Sequence, residues 1–322
     1  MKKSLKALAF AIGLACASFQ AAAADEVVIY TNADEEAQVA MRHALDKNGY
    51  EGKYLMQSMG TSELGGKLIA EGKNIEADIV TLSSYYLQSA QNAQKVFLDL
   101  SFPLSTAAPQ TAKYYAPILG LTGSVLLNTE VLKEQGLKAP ESIADLAKPE
   151  YAGFVAVPDI TGSSTSWLMT QAAVKAYGEK EGIELIRRIE KNAGDHLEMS
   201  GSGPLKKLRA GEVAVGFGLR HQAIADKQNG LPIDYVDPKE GNFTITEALA
   251  VVDKGSKTNP EAMKMAECII KNAREELLVN YPVILYKGET VKPELVPGNP
   301  QQFTEPLTVE LLKKHQELVK QH

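Results

Sequence analysis

Short β-branched runs, each followed by a polar loop and then a helix-spaced stretch, recur along the whole chain. "EVVIYT" (26–31) precedes "NADEEAQVAMRHALDKNG", in which Ala37, Met41, Ala44 and Leu45 share one helical face and Gly49 can end the helix. "KYLMQS" precedes "MGTSELGGKLIAEG", and "ADIVTL" (77–82) precedes "SSYYLQSAQNA". Further on, "GFVAVPD" and "GEVAVGFG" repeat the pattern. This alternation constrains the chain to an α/β fold with mainly parallel sheets and helices on both faces. Residues 286–304, rich in Pro and Gly, should run over the surface before an amphipathic helix from about Leu307.

Two runs are longer and differently built. "APILGLTGSVLLNTEVL" (116–132) and "TITEALAVVDKG" (244–255) read as extended strands that cross from one domain to another. If both cross, residues 125–243 form one lobe, and residues 25–124 with 244–322 form the other. Open α/β sheets bind ligands outside the carboxyl ends of their strands. Two such sheets facing each other would place strand-end loops on both walls of a cleft.

The first 24 residues carry Lys2, Lys3 and Lys6, an apolar stretch from Ala7 to Phe19, and alanines at 21 to 24 that suit cleavage before Asp25. That order describes a secretory signal peptide and places the mature protein in the periplasm. Cys16 raises the alternative of a lipidated start, although Gly13 stands where such signals usually carry Leu. Removing residues 1–24 takes three lysines and no acid, moving net charge from −6 to −9. An acidic secreted chain is a poor partner for nucleic acid. The one remaining cysteine, Cys268, can form no internal disulfide and lies at helical spacing among apolar residues, so it reads as core.

Three loops combine Gly with Ser or Thr at a helix start. They are Gly60-Thr61-Ser62, Gly162-Ser163-Ser164-Thr165 and Gly201-Ser202-Gly203, the last running into Pro204. Helix starts offer free N–H groups and a positive dipole end, and hydroxyls add donors without charge. A helix cap accounts for one hydroxyl in each loop. The excess, above all in "VPDITGSSTSWLM" (157–169), points to a bound anion.

Taken together, the leader, "VVIYTNADEE", "GTSELGGKLIAEGKNIEADIV", "LLNTEVL", "SGSGPLKKLRAGEVAVGFG" and "ALAVVDKG" resemble the periplasmic solute-binding proteins of ABC importers. Within them, the similarity is to the subgroup of ferric-, hexose-phosphate- and 2-aminoethylphosphonate-binding proteins. The resemblance implies a two-lobed type II binding-protein fold with two hinge strands. It also implies a monomer that closes over one small ligand and delivers it to a membrane permease. Ferric binding in that subgroup implies two adjacent tyrosines after a "GE-x-A" strand. Here Leu219, Arg220 and His221 follow "GEVAVGFG", while Tyr85-Tyr86 lies in another loop. A guanidinium repels Fe³⁺ but forks onto phosphate or phosphonate oxygens.

The expected ligand residues are therefore Asn32, Thr61, Ser62, Ser83, Ser84, Tyr85, Ser163, Ser164, Thr165, Ser202, Arg220, His221 and Glu247. Asp34, Glu35, Glu63 and Glu247 could meet a ligand ammonium, and Trp167 reads as core. No cofactor is expected, and the five histidines show no metal-ligand spacing. A serine hydrolase is the competing class, but "TGSST" is no G-x-S-x-G elbow, and neither His196 nor His221 has a catalytic context. The expectation is a small organophosphorus anion as solute, with 2-aminoethylphosphonate leading. Sugar phosphate or inorganic oxyanion, then ferric iron, are the alternatives.

Overall fold

Val27, Ile29 and Tyr30 bury the first strand, β1 (Val27–Thr31), against α1 (Glu35–Leu45) and its neighbours. α1 packs through Ala37, Ala40, Met41, Ala44 and Leu45, one face at i, i+3, i+4, i+7 and i+8, with Glu35 and Glu36 at its positive end. Gly49, at φ 82°, turns the chain after it. The structure, a computed structural model, describes residues 26–108 and 112–321. The secretory leader expected at 1–24 lies outside those residues.

Strand and helix alternate next through β2 (Tyr54–Ser58), α2 (Thr61–Glu71), β3 (Ile79–Ser83) and α3 (Ser84–Gln94). β4 (Ala116–Asn128) and α4 (Thr129–Glu134) follow. β5 (Val155–Pro158), α5 (Ser164–Tyr177), α6 (Glu179–Ala193), β6 (Leu197–Glu198) and α7 (Gly203–Arg209) come after them. The chain ends with β7 (Val215–Leu219), α8 (Arg220–Gln228), β8 (Ile233–Val236), β9 (Thr244–Val251), α9 (Ala262–Asn272), α10 (Arg274–Asn280) and α11 (Val309–Lys320).

Among the described residues one connected nine-stranded sheet results, in the order β2-β1-β3-β9-β4-β7-β5-β6, with β8 also on β4. It is mixed, not mainly parallel. β1 pairs parallel with β2 and β3, and β5 with β6 and β7, but β9 on β3 and all three neighbours of β4 are antiparallel. The reason is β4, which changes partners halfway. Ala116 to Thr122 pair with β9, while Gly123 to Asn128 pair with β7 and β8. The return connection is bent between β8 and β9, with Gly123 N donating to Phe243 O and Asn242 Nδ2 to Gly123 O at the crossing. Both lobes thus hang on β4 and β8–β9.

α5 and α6 cross closely enough that a Cβ on Gly182 would stand 2.8 Å from Ala173 O. In the tail, α11 packs on α6 beside β5 and also approaches α3. Arg187 donates to the carbonyls of Leu318 and Val319, Lys314 pairs with Glu179, and Gln316 Nε2 reaches Ile160 O. Val309, Leu312, His315 and Val319 form its buried face. Cys268 is buried in α9, as read from its spacing.

Candidate functional site

The loops after β1 and β2 face those after β5 and β6 across a cavity of about 390 Å³. Asn32, Asp34, Gly60 and Thr61 line one wall; Gly162, Ser163, Ser202 and Lys206 line the other. The walls touch at one edge, where Ser62 N donates to Gly162 O at 3.4 Å. They meet again deeper, where the Tyr85 and Trp167 rings lie 5.0 Å apart, edge to face.

Only one hydroxyl of the Gly162–Thr165 loop is needed as a cap. Ser163 Oγ accepts from Thr165 N at 3.1 Å and so begins α5. That bond uses a lone pair and leaves the Ser163 O–H to donate into the cavity. Ser164 and Thr165 are buried and do not line it. Thr165 instead packs against the next loop, where a Cβ on Gly201 would fall 2.1 Å from its Oγ1. On the facing wall Gly60 is the N-cap of α2, and Glu63 returns to Gly60 N at 3.3 Å. Thr61 Oγ1 accepts from Asn32 Nδ2 at 3.1 Å. Ser202 makes no capping bond in α7.

Carboxylates sit on the first wall. Burial raises Asp34 to about 6 with help from Glu36, against the opposing pull of Lys206 and of the Ser202 hydroxyl across the gap. Behind Asn32 lies Glu247, 2% exposed. Its Oε1 accepts from Ser83 Oγ at 2.5 Å, since β3 and β9 set Ser83 opposite Glu247. Burial raises Glu247 to about 7, while Ser83 and Asn32 favour its ionised form and Asp34 opposes it. The phenol of Tyr85 adjoins Glu247 and Ser83, and burial holds it well above the usual tyrosine value. Ser84 opens α3 half-buried and lies apart from the cavity.

Arg220 and His221 are corrections. Arg220 is 4% exposed and turned away from the cavity. It forks onto Asp237, donates to the carbonyls of Leu295 and Val296, and stacks on Tyr235 with its guanidinium carbon 4.7 Å from the ring centre. Arg220 and Asp237, seventeen residues apart in sequence, find each other because α8 and β8 pack together. His221 is buried against Tyr281, rings 4.3 Å apart, and burial lowers it to about 3, so it is neutral. Lys206, three residues beyond Gly203, takes the place expected of Arg220; the lysine pair in "GPLKKLR" was its only sequence signal. Trp167 is core, as expected, and its Nε1 donates to His315 Nδ1 at 3.0 Å.

None of the described histidines lines the cavity. Among the described residues no cluster of three or more His, Cys, Asp or Glu could hold a metal ion. Nor is any helix among them long and apolar enough to cross a membrane.

A sequence profile for bacterial extracellular solute-binding proteins matches residues 82–304, more than half of the chain. An uncharacterized Haemophilus influenzae protein is 27% identical over 176 residues, a match spanning 54% of this chain and only 49% of that one. The Fe(3+)-binding periplasmic protein of Serratia marcescens is 25% identical over 298 residues, covering 86% of this chain and 84% of the relative. In fold, the chain is similar to the fructose-6-phosphate-bound periplasmic binding protein AfuA of Actinobacillus pleuropneumoniae. That match has a TM-score of 0.73 at 19% identity, over 92% of this chain and 96% of the other.

Proposed function

The chain belongs to the bacterial extracellular solute-binding proteins, and on that premise we propose that it is the periplasmic binding component of an ABC importer for a small organophosphorus anion. Its lobes exchange between open and closed forms, solute contacts to both walls favour the closed one, and a membrane permease receives the cargo. The protein acts as a monomer and binds without catalysing a reaction. One observation carries the choice of solute. The cavity lies between helix starts of opposite lobes, with the free O–H of Ser163, the Ser202 loop and the ammonium of Lys206 on one side and Thr61 on the other.

The relatives named above include binders of Fe(3+) and of fructose 6-phosphate. Ferric iron is served poorly by this cavity, since Fe³⁺ wants several convergent anionic oxygens and, among the described residues, the carboxylates on the lining do not gather into a metal-holding cluster. Tyr85 is held as a neutral phenol, and Tyr86, pushed up by burial, turns to the Ser62 hydroxyl. A sugar phosphate, bearing about two negative charges, would meet Asp34 and Glu63 with Lys206 as the one cation on the lining. 2-Aminoethylphosphonate, with a charge of each sign, suits a wall of each sign.

A thermal-shift panel of phosphonates, phosphate, sugar phosphates and ferric citrate tests this reading. A solute at one hundred times its Kd stabilises by about 2.7 kcal/mol. The expected result is that an organophosphorus compound gives the largest shift. A shift with ferric citrate alone, or with no phosphorus compound, would contradict it.

A further inference from the structure

Three polar atoms are buried together with nothing to bond to. They are Glu247 Oε2, Asn32 Oδ1 and the Tyr85 hydroxyl. Glu247 and Tyr85 are each 2% exposed. They form one group, because Asn32 and Tyr85 both act on the Glu247 carboxylate and Ser83 already occupies its Oε1. Asn32 joins the group to the cavity, since its side chain also lines the space between the lobes beside Asp34.

Two of the three atoms, an ionised carboxylate oxygen and an amide oxygen, only accept, and a phenol oxygen accepts as well as donates. Ser83 gives its hydrogen to Oε1 and Asn32 Nδ2 gives one to Thr61, which leaves the second Asn32 N–H and the Tyr85 O–H as the cluster's own donors, and neither completes a hydrogen bond to Oε2. Leaving such groups unpaired in the interior is costly, and a buried carboxylate is costliest. A water molecule brings two hydrogens and no charge. A primary ammonium brings three hydrogens and the charge that Glu247 lacks.

We infer that Glu247, Asn32 and Tyr85 form the seat of a primary ammonium on the solute, which makes the preferred solute a zwitterion. The seat lies behind Asn32 on the first wall, and the hydroxyls and Lys206 line the second, so the two ends of the site carry opposite charges. This deepens the organophosphorus reading and rests on it only for the anionic end. A phosphate ester without an amine would occupy that end and leave the three acceptors unpaired, which selects against it.

The test is a set of calorimetric titrations on the wild type and on Glu247→Gln, with 2-aminoethylphosphonate, ethylphosphonate and putrescine as probes. The wild type should bind 2-aminoethylphosphonate about ten- to a hundredfold more tightly than ethylphosphonate, the ratio of a charge-assisted contact. Glu247→Gln, nearly the same shape without the charge, should bring the two phosphonates within about threefold. Tyr85→Phe serves if Glu247→Gln does not fold, and should reduce the same preference without abolishing it. Equal wild-type affinity for both phosphonates, or a preference untouched in the variants, would overturn the seat. If neither phosphonate binds, the organophosphorus reading falls and putrescine decides the seat. Putrescine binding lost in Glu247→Gln would uphold it, and no putrescine binding, or binding unchanged in the variant, would overturn it.

Discussion

Arg220 and Asp237 form a two-pronged ion pair, with Nε 2.7 Å from Oδ1 and Nη2 3.1 Å from Oδ2. Burial alone would raise the Asp237 carboxyl, yet Arg220 and Gly298 N hold it below its ordinary value. The pair ties α8 to the stretch around Leu295 and Val296, whose carbonyls take two of the three remaining guanidinium hydrogens. Arg220→Ala should therefore act on folding. Breaking a buried pair from one side costs about 3–5 kcal/mol, and the unfolding midpoint should fall accordingly. Affinity of the folded fraction should stay within about threefold. A variant of native stability that no longer binds solute would return Arg220 to the ligand.

Alanine at Ser163 should have two effects. Loss of the cap should lower stability by about 1 kcal/mol, read from urea unfolding without ligand. Loss of the donor into the cavity should weaken binding of an organophosphorus solute about tenfold. Ser164→Ala should leave affinity within about threefold, since that hydroxyl does not reach the cavity. Unchanged binding in Ser163→Ala would make the loop a helix start and nothing more.

Lys206→Ala should weaken anion binding about tenfold or more with little change in midpoint, because the side chain lies on the cavity lining. Affinity that survives the loss, measured by titration at low salt, would count against an anionic solute.

Glu247 and Asp34 give the ligand-free protein a pH dependence. Their folded values, about 7 and about 6, exceed the ordinary carboxylate range, so the folded state holds its protons more tightly than the unfolded one. Stability from these groups is full below that range and is lost as pH rises through 6 to 7. For Glu247 this amounts to up to roughly 3 kcal/mol. Urea midpoints should fall between pH 5 and pH 8, and fall less in Glu247→Gln, which cannot titrate there. Parallel curves would show that Glu247 ionises as an ordinary surface acid.

Much of the fold was legible because burial leaves a period in sequence. β1, β3 and β7 were read from β-branched and aliphatic runs that the sheet buries, and α1 from Ala37, Met41, Ala44 and Leu45. β6, two residues long, and β8, whose later residues are only half-buried, carry too little pattern to be seen. The mixed sheet was missed because pairing direction depends on how β4 crosses, which no local period records. Of the site, the helix-start hydroxyls were visible from Gly-Ser-Thr clustering. Arg220 misled because a guanidinium at a strand end serves a carboxylate as well as a phosphonate. Its partner Asp237 is supplied by tertiary packing alone.

The most direct measurement is a calorimetric titration of the protein with 2-aminoethylphosphonate. The expected result is saturable binding at one solute per chain, weakened by Ser163→Ala on one wall and by Glu247→Gln on the other. Absence of saturable heat with this and every other phosphorus-containing solute, or tight binding that neither substitution alters, would contradict capture of an organophosphorus solute between the lobes.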